Sequence, residues 1–125
     1  MSVADTCFLI DLLRQDPGAM SLADTVPDLK TTSISAAEFL YGARISVRPG
    51  RMDAAHAFLG HFRILPFDLE SAILYADIAA DLQAQGGRIS SFDELIAAIA
   101  LRYDEPLVTR DAHFSAIRGL TVLPY

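Results

Sequence analysis

Three acidic side chains, Asp5, Glu38 and Asp111, stand near junctions where a predicted strand gives way to a helix, and Asp93 joins them from the start of another predicted helix. In a parallel sheet the carboxyl ends of all strands lie at one edge, so acids far apart in sequence can meet there. Like charges in a small pocket raise each other's pKa, and a hard divalent cation relieves that repulsion. The pattern therefore predicts a site for Mg²⁺ or Mn²⁺, which prefer oxygen ligands.

The chemistry open to such a site is hydrolysis at phosphorus. A bound divalent ion lowers the pKa of water, and phosphodiester oxygens can complete its coordination. A purely structural interpretation stays open for each acid, because acids are favoured near helix N-termini for capping and dipole reasons alone. Glu38 and Glu94 each follow a serine at the spacing of a capping box, with Ser35 and Ser91 as the predicted caps.

The stretch 89–111 is the one around which the predicted elements are arranged. Ser91 predicts the start of an amphipathic helix that runs to about Tyr103, and Pro106 prevents its continuation. A strand at 107–109 follows at once. Asp93 would then lie in the first turn of the helix, and Asp111 just past the carboxyl end of the strand.

Strands and helices alternate along the rest of the chain. We predict strands at 1–4, 31–34, 64–67 and 121–123, and helices ending at Arg14, running from Asp16-Pro17 to before Pro27, and at 35–47, 51–62, 69–85 and 112–117. This order predicts a single α/β domain over residues 1–125, a three-layer α/β/α fold with a mostly parallel central sheet.

Composition limits the functional classes. The chain has 125 residues, 52% of them hydrophobic, which suffices for one core and suggests a surface hidden in a dimer or against a partner. No apolar run is long enough to span a bilayer and no signal peptide is evident, so we expect a cytoplasmic protein without membrane contact. Cys7 is the only cysteine, which excludes an internal disulfide.

The net charge of −6 argues against a protein that binds nucleic acid through its overall field. Nine of the ten basic residues are arginine, so any phosphate contacts would come from planar groups capable of bidentate binding. Arg44, Arg88 and Arg110 are the candidates for such contacts, with an ordinary solvated surface role as the alternative.

Four short motifs together resemble a known family. In order they are Asp5-Thr6, Ser35-x-x-Glu38-x-x-Tyr-Gly-Ala, Asp93-x-Leu-Ile-Ala-Ala and Leu-Val-Thr-x-Asp111-x-x-Phe. Their order and spacing resemble the PIN-domain ribonucleases, and among these most closely the VapC-like toxins of toxin-antitoxin pairs. The resemblance covers essentially the whole chain.

This resemblance implies a Mg²⁺- or Mn²⁺-dependent endoribonuclease that forms homodimers and is blocked by a cognate antitoxin. The four acids match the family's acidic quartet, and Thr109 matches the hydroxyl beside the last acid. As a mechanism we predict that Asp5, Asp93 and Asp111 hold the ion directly or through water, while Glu38 orients or deprotonates the attacking water. Cys7 and Arg110 depart from the family pattern, which affects the expected placement of substrate more than the metal site.

Other protein classes require residues that differ from those found in this chain. A receiver-type phosphoacceptor domain needs paired acids after the first strand and a lysine after the last central one, whereas Lys30 stands at the wrong end. A haloacid-dehalogenase-type phosphatase needs Asp-x-Asp, but Cys7 occupies the third position. A thiol nucleophile at Cys7 lacks a histidine paired with it in sequence. A catalytically silent interaction module with this fold stays open.

Overall fold

A parallel sheet of five strands forms the central layer of the computed structural model, which describes all 125 residues. The strands are β1 (Ser2–Ala4), β2 (Leu29–Thr32), β3 (Arg63–Leu65), β4 (Leu107–Val108) and β5 (Val122–Leu123). Their order across the sheet is β3-β2-β1-β4-β5, and every neighbouring pair is parallel. The predicted mostly parallel sheet is confirmed, and β1 is its central strand.

Six α-helices and one 3₁₀ helix connect the strands. They are α1 (Thr6–Leu13), α2 (Pro17–Thr25), α3 (Ser33–Arg44), α4 (Arg51–Leu59), α5 (Leu69–Ala84), α6 (Ser91–Arg102) and the 3₁₀ helix Ala112–Ala116. Two starts follow the sequence prediction closely, because the side chains of Asp16 and Asp68 accept hydrogen bonds from the first-turn amides of Ala19 and Ser71.

Helices cover both faces of the sheet, as the side-chain alternation of its strands requires. Val3 and Leu107 point into a core formed with α5 and α6. The next residue of each strand, Ala4 and Val108, belongs to a second core on the opposite face, formed with α1, α3 and α4. The three-layer α/β/α architecture therefore follows from strands that are apolar on both faces.

Strand β2 begins and ends two residues before its predicted position. It covers Leu29–Thr32 rather than 31–34, and Lys30, predicted to lie in the preceding loop, is a buried strand residue. Lys30 can be buried because its Nζ lies 2.5 Å from Oε1 of Glu105. A charged residue in a strand is tolerated in the interior when it is paired, and no local pattern predicts so distant a partner.

Both predicted capping boxes are wrong in register. Thr32 caps α3 by accepting from the Ser35 amide at 3.0 Å, so Glu38 lies in the second turn of that helix. Ser90 caps α6 by accepting from the Asp93 amide at 3.1 Å. Serine and threonine recur near both starts, and the extended backbone at Thr32 and Ser90 makes these two residues the caps.

The remaining element ends lie within three residues of the predictions, and several coincide with them, as is usual where helices fray and short strands end. None of the helices combines the length and the apolar character needed to cross a membrane.

Candidate active site

Asp5 lies at the carboxyl end of the central strand and is the N-cap of α1. Its Oδ1 accepts a hydrogen bond from the Phe8 amide at 2.8 Å, and its Oδ2 accepts one from Thr109 Oγ1 at 2.5 Å. Only 3% of the residue is exposed. These two bonds hold the carboxylate at the sheet edge with one oxygen directed to α1 and the other to the segment after β4.

Thr109 connects the acids at the ends of β1 and β4. Its hydroxyl donates to Asp5 and accepts from the Asp111 amide at 3.0 Å, and the residue is buried. Asp111 in turn caps the 3₁₀ helix, since its Oδ1 accepts from the His113 amide at 2.9 Å. Because β1 and β4 are neighbours in the sheet, a single threonine positions both carboxylates.

Glu38 reaches the same edge from α3. Its Oε1 accepts a hydrogen bond from Thr6 Oγ1 at 2.6 Å, which ties it to the residue directly after Asp5. The residue is half-buried. Since β2 neighbours β1, α3 starts beside α1, and the second-turn position of Glu38 turns its side chain toward the N-terminus of α1.

Asp93 completes the group from the first turn of α6. Burial raises its pKa, and the nearby charges of Asp111 and Glu38 raise it further. Burial also raises the pKa of Asp5, from its ordinary value of 3.8 to about 6, against the lowering effect of its hydrogen bonds to Thr109 and Phe8. The charges of Asp93 and Asp111 add to that rise. The four predicted acids thus form one electrostatically connected group, in which the charge of Asp93 acts on Asp5 and the charges of Asp111 and Glu38 act on Asp93.

The donors available for a cation at this edge are carboxylate and hydroxyl oxygens. No group of three or more aspartate, glutamate, histidine or cysteine side chains is close enough to enclose a metal ion by itself. Mg²⁺ typically keeps several waters and is held through one or two carboxylates. The arrangement therefore fits a hydrated hard ion, and it does not offer the nitrogen and sulfur ligands of a structural zinc site.

The three arginines predicted to contact phosphate lie in different surroundings. Arg88 donates from Nε and Nη2 to the fully buried Glu94, at 2.9 and 2.5 Å. Arg110 Nη1 lies 3.2 Å from Oδ2 of Asp11, which also accepts from the Tyr125 hydroxyl. Arg44 is exposed at the end of α3 and has no acidic partner. The guanidinium groups of Arg88 and Arg110 are thus already engaged by carboxylates.

Cys7 is unsuited to act as a nucleophile. Burial, together with the charge of Asp5, raises the pKa of its thiol to about 11. A thiol with that pKa stays protonated at neutral pH, whereas nucleophilic cysteines have a depressed pKa. The thiol interpretation is therefore disfavoured by the electrostatics of the same acids that form the site.

Two further residues contact the acids and were not predicted as part of the site. Thr6 holds Glu38, and His113 Nδ1 lies 2.9 Å from Oδ1 of Asp111. A signal for Thr6 was present, because it follows Asp5 in the first motif. The contact between His113 and Asp111 depends on the 3₁₀ helix that Asp111 caps. The sequence predicted a helical turn at 112–117 but not the side-chain contacts within it.

Comparison with known proteins identifies close relatives of this chain. The PIN domain family model matches residues 2–120. The VapC ribonuclease Y4jK of Sinorhizobium fredii is 28% identical, over 98% of this chain and 96% of that protein. The tRNA(fMet)-specific endonuclease VapC of Shigella flexneri is 30% identical, over 71% and 69%. VapBC-5 from Mycobacterium tuberculosis, a member of the VapBC family of toxin-antitoxin systems, superimposes with a TM-score of 0.74 at 27% identity, over 98% of this chain and 95% of that one.

Proposed function

The chain belongs to the PIN domain family, and from this premise we propose that it is a VapC-like endoribonuclease toxin that hydrolyses RNA phosphodiester bonds with the help of Mg²⁺ or Mn²⁺. The observation that carries the proposal is the convergence of the four acids at one sheet edge, each supplied by a different segment of a chain that matches the family almost end to end.

In the proposed site Asp5, Asp93 and Asp111 hold the ion, directly or through water. When bound, the ion lowers the pKa of water and neutralises charge that develops on the phosphate. The direction of the pKa shifts of Asp5 and Asp93 supports this assignment, because burial, and then the neighbouring acids, disfavour the charged form of both carboxylates. Thr109 links the Asp5 carboxylate to the Asp111 backbone, since its hydroxyl donates to the first and accepts from the amide of the second.

Glu38 is the proposed base for the attacking water. The Thr6 hydroxyl occupies its Oε1, which orients the carboxylate and leaves Oε2 without a partner in the chain. A carboxylate held in this way can accept a proton from water as the water attacks phosphorus, and the leaving oxygen then takes a proton from solvent. Thr6 is in this scheme a positioning residue, since it acts through Glu38.

Replacement of Thr109 by valine is expected to lower kcat about 10–100-fold, the usual cost of removing a group that orients metal-binding side chains. Valine keeps the shape of threonine but leaves Oδ2 of Asp5 and the Asp111 amide without their shared partner. Thr109→Ser restores the hydroxyl and is expected to retain most activity. Steady-state cleavage of an RNA oligonucleotide by both variants checks this, and equal loss in the two would contradict a role carried by the hydroxyl alone.

We also propose two partners, a cognate antitoxin and a second copy of the chain. We propose that the protein acts in the cytoplasm, where RNA is found. The support is similarity to VapBC-5, described as part of a toxin-antitoxin system, together with apolar side chains exposed around the end of α3. Tyr41, Ile45 and Val47 are 66%, 63% and 99% exposed, which is costly in an isolated chain.

The receiver-type alternative does not agree with the strand order. Receiver domains have the order 2-1-3-4-5, whereas this sheet has 3-2-1-4-5. Lys30, the sole lysine, is paired with Glu105 and lies toward the amino ends of the strands, away from the acids. It therefore cannot contact a phosphoryl group at the site. The silent-module alternative keeps this fold and is distinguished by activity.

The test of the proposed function is cleavage of structured RNA by the purified protein, freed of any antitoxin, with Mn²⁺ or with EDTA. We expect internal cuts in the presence of Mn²⁺ and none in EDTA, because the acids cannot act on phosphate without a cation. Undiminished cutting in EDTA would overturn the metal-dependent mechanism. No cutting, together with no thermal shift on Mn²⁺ titration, would favour the silent module.

A further inference from the structure

The arginines that lack an acidic partner are concentrated on one side of the molecule. Of the nine arginines, Arg88, Arg102, Arg110 and Arg118 lie within 4.0 Å of a carboxylate oxygen. The other five have no such partner, and four of them, all except Arg63, line two adjoining surface depressions around the ends of α3 and α4. A chain of net charge −6 thus gathers its uncompensated positive charge in one place.

The larger depression is a groove of about 450 Å³ between α1, α3 and α4. Ile10, Phe39 and Ala55 contribute to its apolar lining, and Arg14, Arg48 and Arg51 supply its positive charge. Glu38 also lines it, so the groove opens directly onto the candidate active site. A ligand in this groove would therefore extend from the proposed reaction centre along the unpaired guanidinium groups.

We propose that this groove is the track for the RNA strand next to the scissile bond, with Arg14, Arg48 and Arg51 binding successive backbone phosphates. The inference rests on the proposed function. Guanidinium groups match phosphate oxygens in bidentate geometry, and three of them on separate segments suit a ligand whose charges repeat along its length. The apolar lining offers contact for base faces, as in sites that bind single strands without sequence preference.

Glu38 lines the same groove as the arginines, and this favours RNA over an acidic protein segment as the ligand. A negatively charged peptide bound along the arginines would meet the Glu38 carboxylate, which forms no salt bridge, at one end of the groove. An RNA whose scissile phosphate lies at the metal site needs a general base at that end of the groove, and Glu38 is the proposed base. The groove thus combines binding groups and a catalytic group in the order that cleavage of a bound strand requires.

The experiment compares the triple variant Arg14→Gln/Arg48→Gln/Arg51→Gln with Arg63→Gln. Arg63 is also unpaired and exposed, but it begins β3 at the amino edge of the sheet, so its replacement removes the same kind of charge away from the groove. The probe is a fluorescein-labelled single-stranded RNA, bound in EDTA so that it is not cut. Affinity is measured by anisotropy over a series of salt concentrations.

Each phosphate contact on a single strand contributes about 0.7 to the slope of log affinity against log salt. The triple variant is therefore expected to lower that slope by about 2, and Arg63→Gln to leave it unchanged. An unchanged slope in the triple variant would overturn the inference. Poly-L-glutamate serves as a model of an acidic protein segment. If the triple variant loses binding to it but still binds RNA like the parent, the groove is a site for an acidic protein segment and the inference is wrong.

RNA cleavage by the parent and RNA binding by the triple variant together distinguish a failure of the proposed function from a failure of the groove assignment. If the parent neither binds nor cuts RNA, the proposed function fails, whereas a parent that cuts RNA with an unaltered triple variant contradicts only the groove. Circular dichroism and thermal unfolding check that the triple variant is folded. Should it unfold, the single variant Arg14→Gln, whose side chain is exposed, still has to lower the slope by about 0.7 for the inference to hold.

Discussion

Replacing Asp5 by asparagine is expected to lower kcat/KM for RNA cleavage by about 10³-fold. A divalent ion stabilises transition-state charge by several kcal/mol, and each 1.36 kcal/mol corresponds to a factor of ten in rate. Asparagine is close to aspartate in shape and can still accept from the Phe8 amide, so the fold should persist. It removes the negative charge that attracts the ion and replaces Oδ2, the acceptor of the Thr109 hydroxyl, by an amide that donates.

The same substitution is expected to stabilise the metal-free protein at neutral pH. The folded-state pKa of Asp5 is about 6 and its ordinary value is 3.8, so the unfolded chain gives up the proton first as pH rises. The protonated Asp5 side chain therefore contributes to the stability of the parent fully below pH 3.8, and this contribution is lost as pH rises through about 6. At 1.36 kcal/mol per pKa unit, this ionisation costs the parent about 3 kcal/mol, which Asp5→Asn avoids.

Urea unfolding in EDTA between pH 4 and pH 8 measures this effect. We expect the free energies of unfolding of parent and Asp5→Asn to be similar near pH 4, to diverge as pH rises to about 6, and to differ by a constant amount above that, with the variant more stable. The control is Asp24→Asn, which removes a charge from an exposed aspartate of α2 that has no side-chain partner. It should change neither cleavage nor the pH profile. A variant less stable than the parent at pH 7.5 would contradict the electrostatic account of the site.

Replacing Lys30 by alanine is expected to destabilise the fold by about 3–5 kcal/mol, the usual cost of leaving a buried charge without its partner. Lys30 and Glu105 are 7% and 8% exposed, and their charged groups lie 2.5 Å apart between β2 and the segment before β4. Oε2 of Glu105 already has no hydrogen-bond partner within the chain. Removal of the lysine would therefore leave the whole carboxylate unsatisfied.

The double variant Lys30→Met/Glu105→Leu is the matched control. It removes both charges while keeping apolar volume, so it should be near the parent in stability or above it. Urea unfolding at pH 7 measures both variants. A loss of less than about 1 kcal/mol in Lys30→Ala would place the pair among weak surface interactions instead. RNA cleavage per folded molecule should be unchanged, since the pair lies away from the acidic edge.

Local signals in the sequence predicted the elements well where one side chain decides the backbone. Asp16 and Asp68 cap the helices predicted to begin at Pro17 and Leu69. The alternation of strands and helices was sufficient to predict a parallel sheet, because two parallel strands need a crossover between them. Prediction failed where several hydroxyl residues compete to cap, as at Thr32 against Ser35 and Ser90 against Ser91.

The pairing of charged groups could not be predicted in the same way. Arg88 and Arg110 look like Arg14, Arg48 and Arg51 in sequence, yet only the first two have acidic partners. The partner of Arg110 is on α1, and that of Lys30 is 75 residues away in the chain. A long-range ion pair leaves no periodicity, because it depends on which segments the sheet places side by side.

The sequence by itself predicted four acids at the carboxyl edge of a parallel sheet, because all strands of such a sheet end toward the same side. Three of the acids stand near strand-to-helix junctions, and Asp93 stands at the start of its helix. Only the tertiary structure decided how they are held. The order β3-β2-β1-β4-β5 makes β1 the neighbour of both β2 and β4, so Thr6 can donate to Glu38 while Thr109 donates to Asp5. Strand order depends on how both faces of the sheet are buried together, and that is a property of the whole chain.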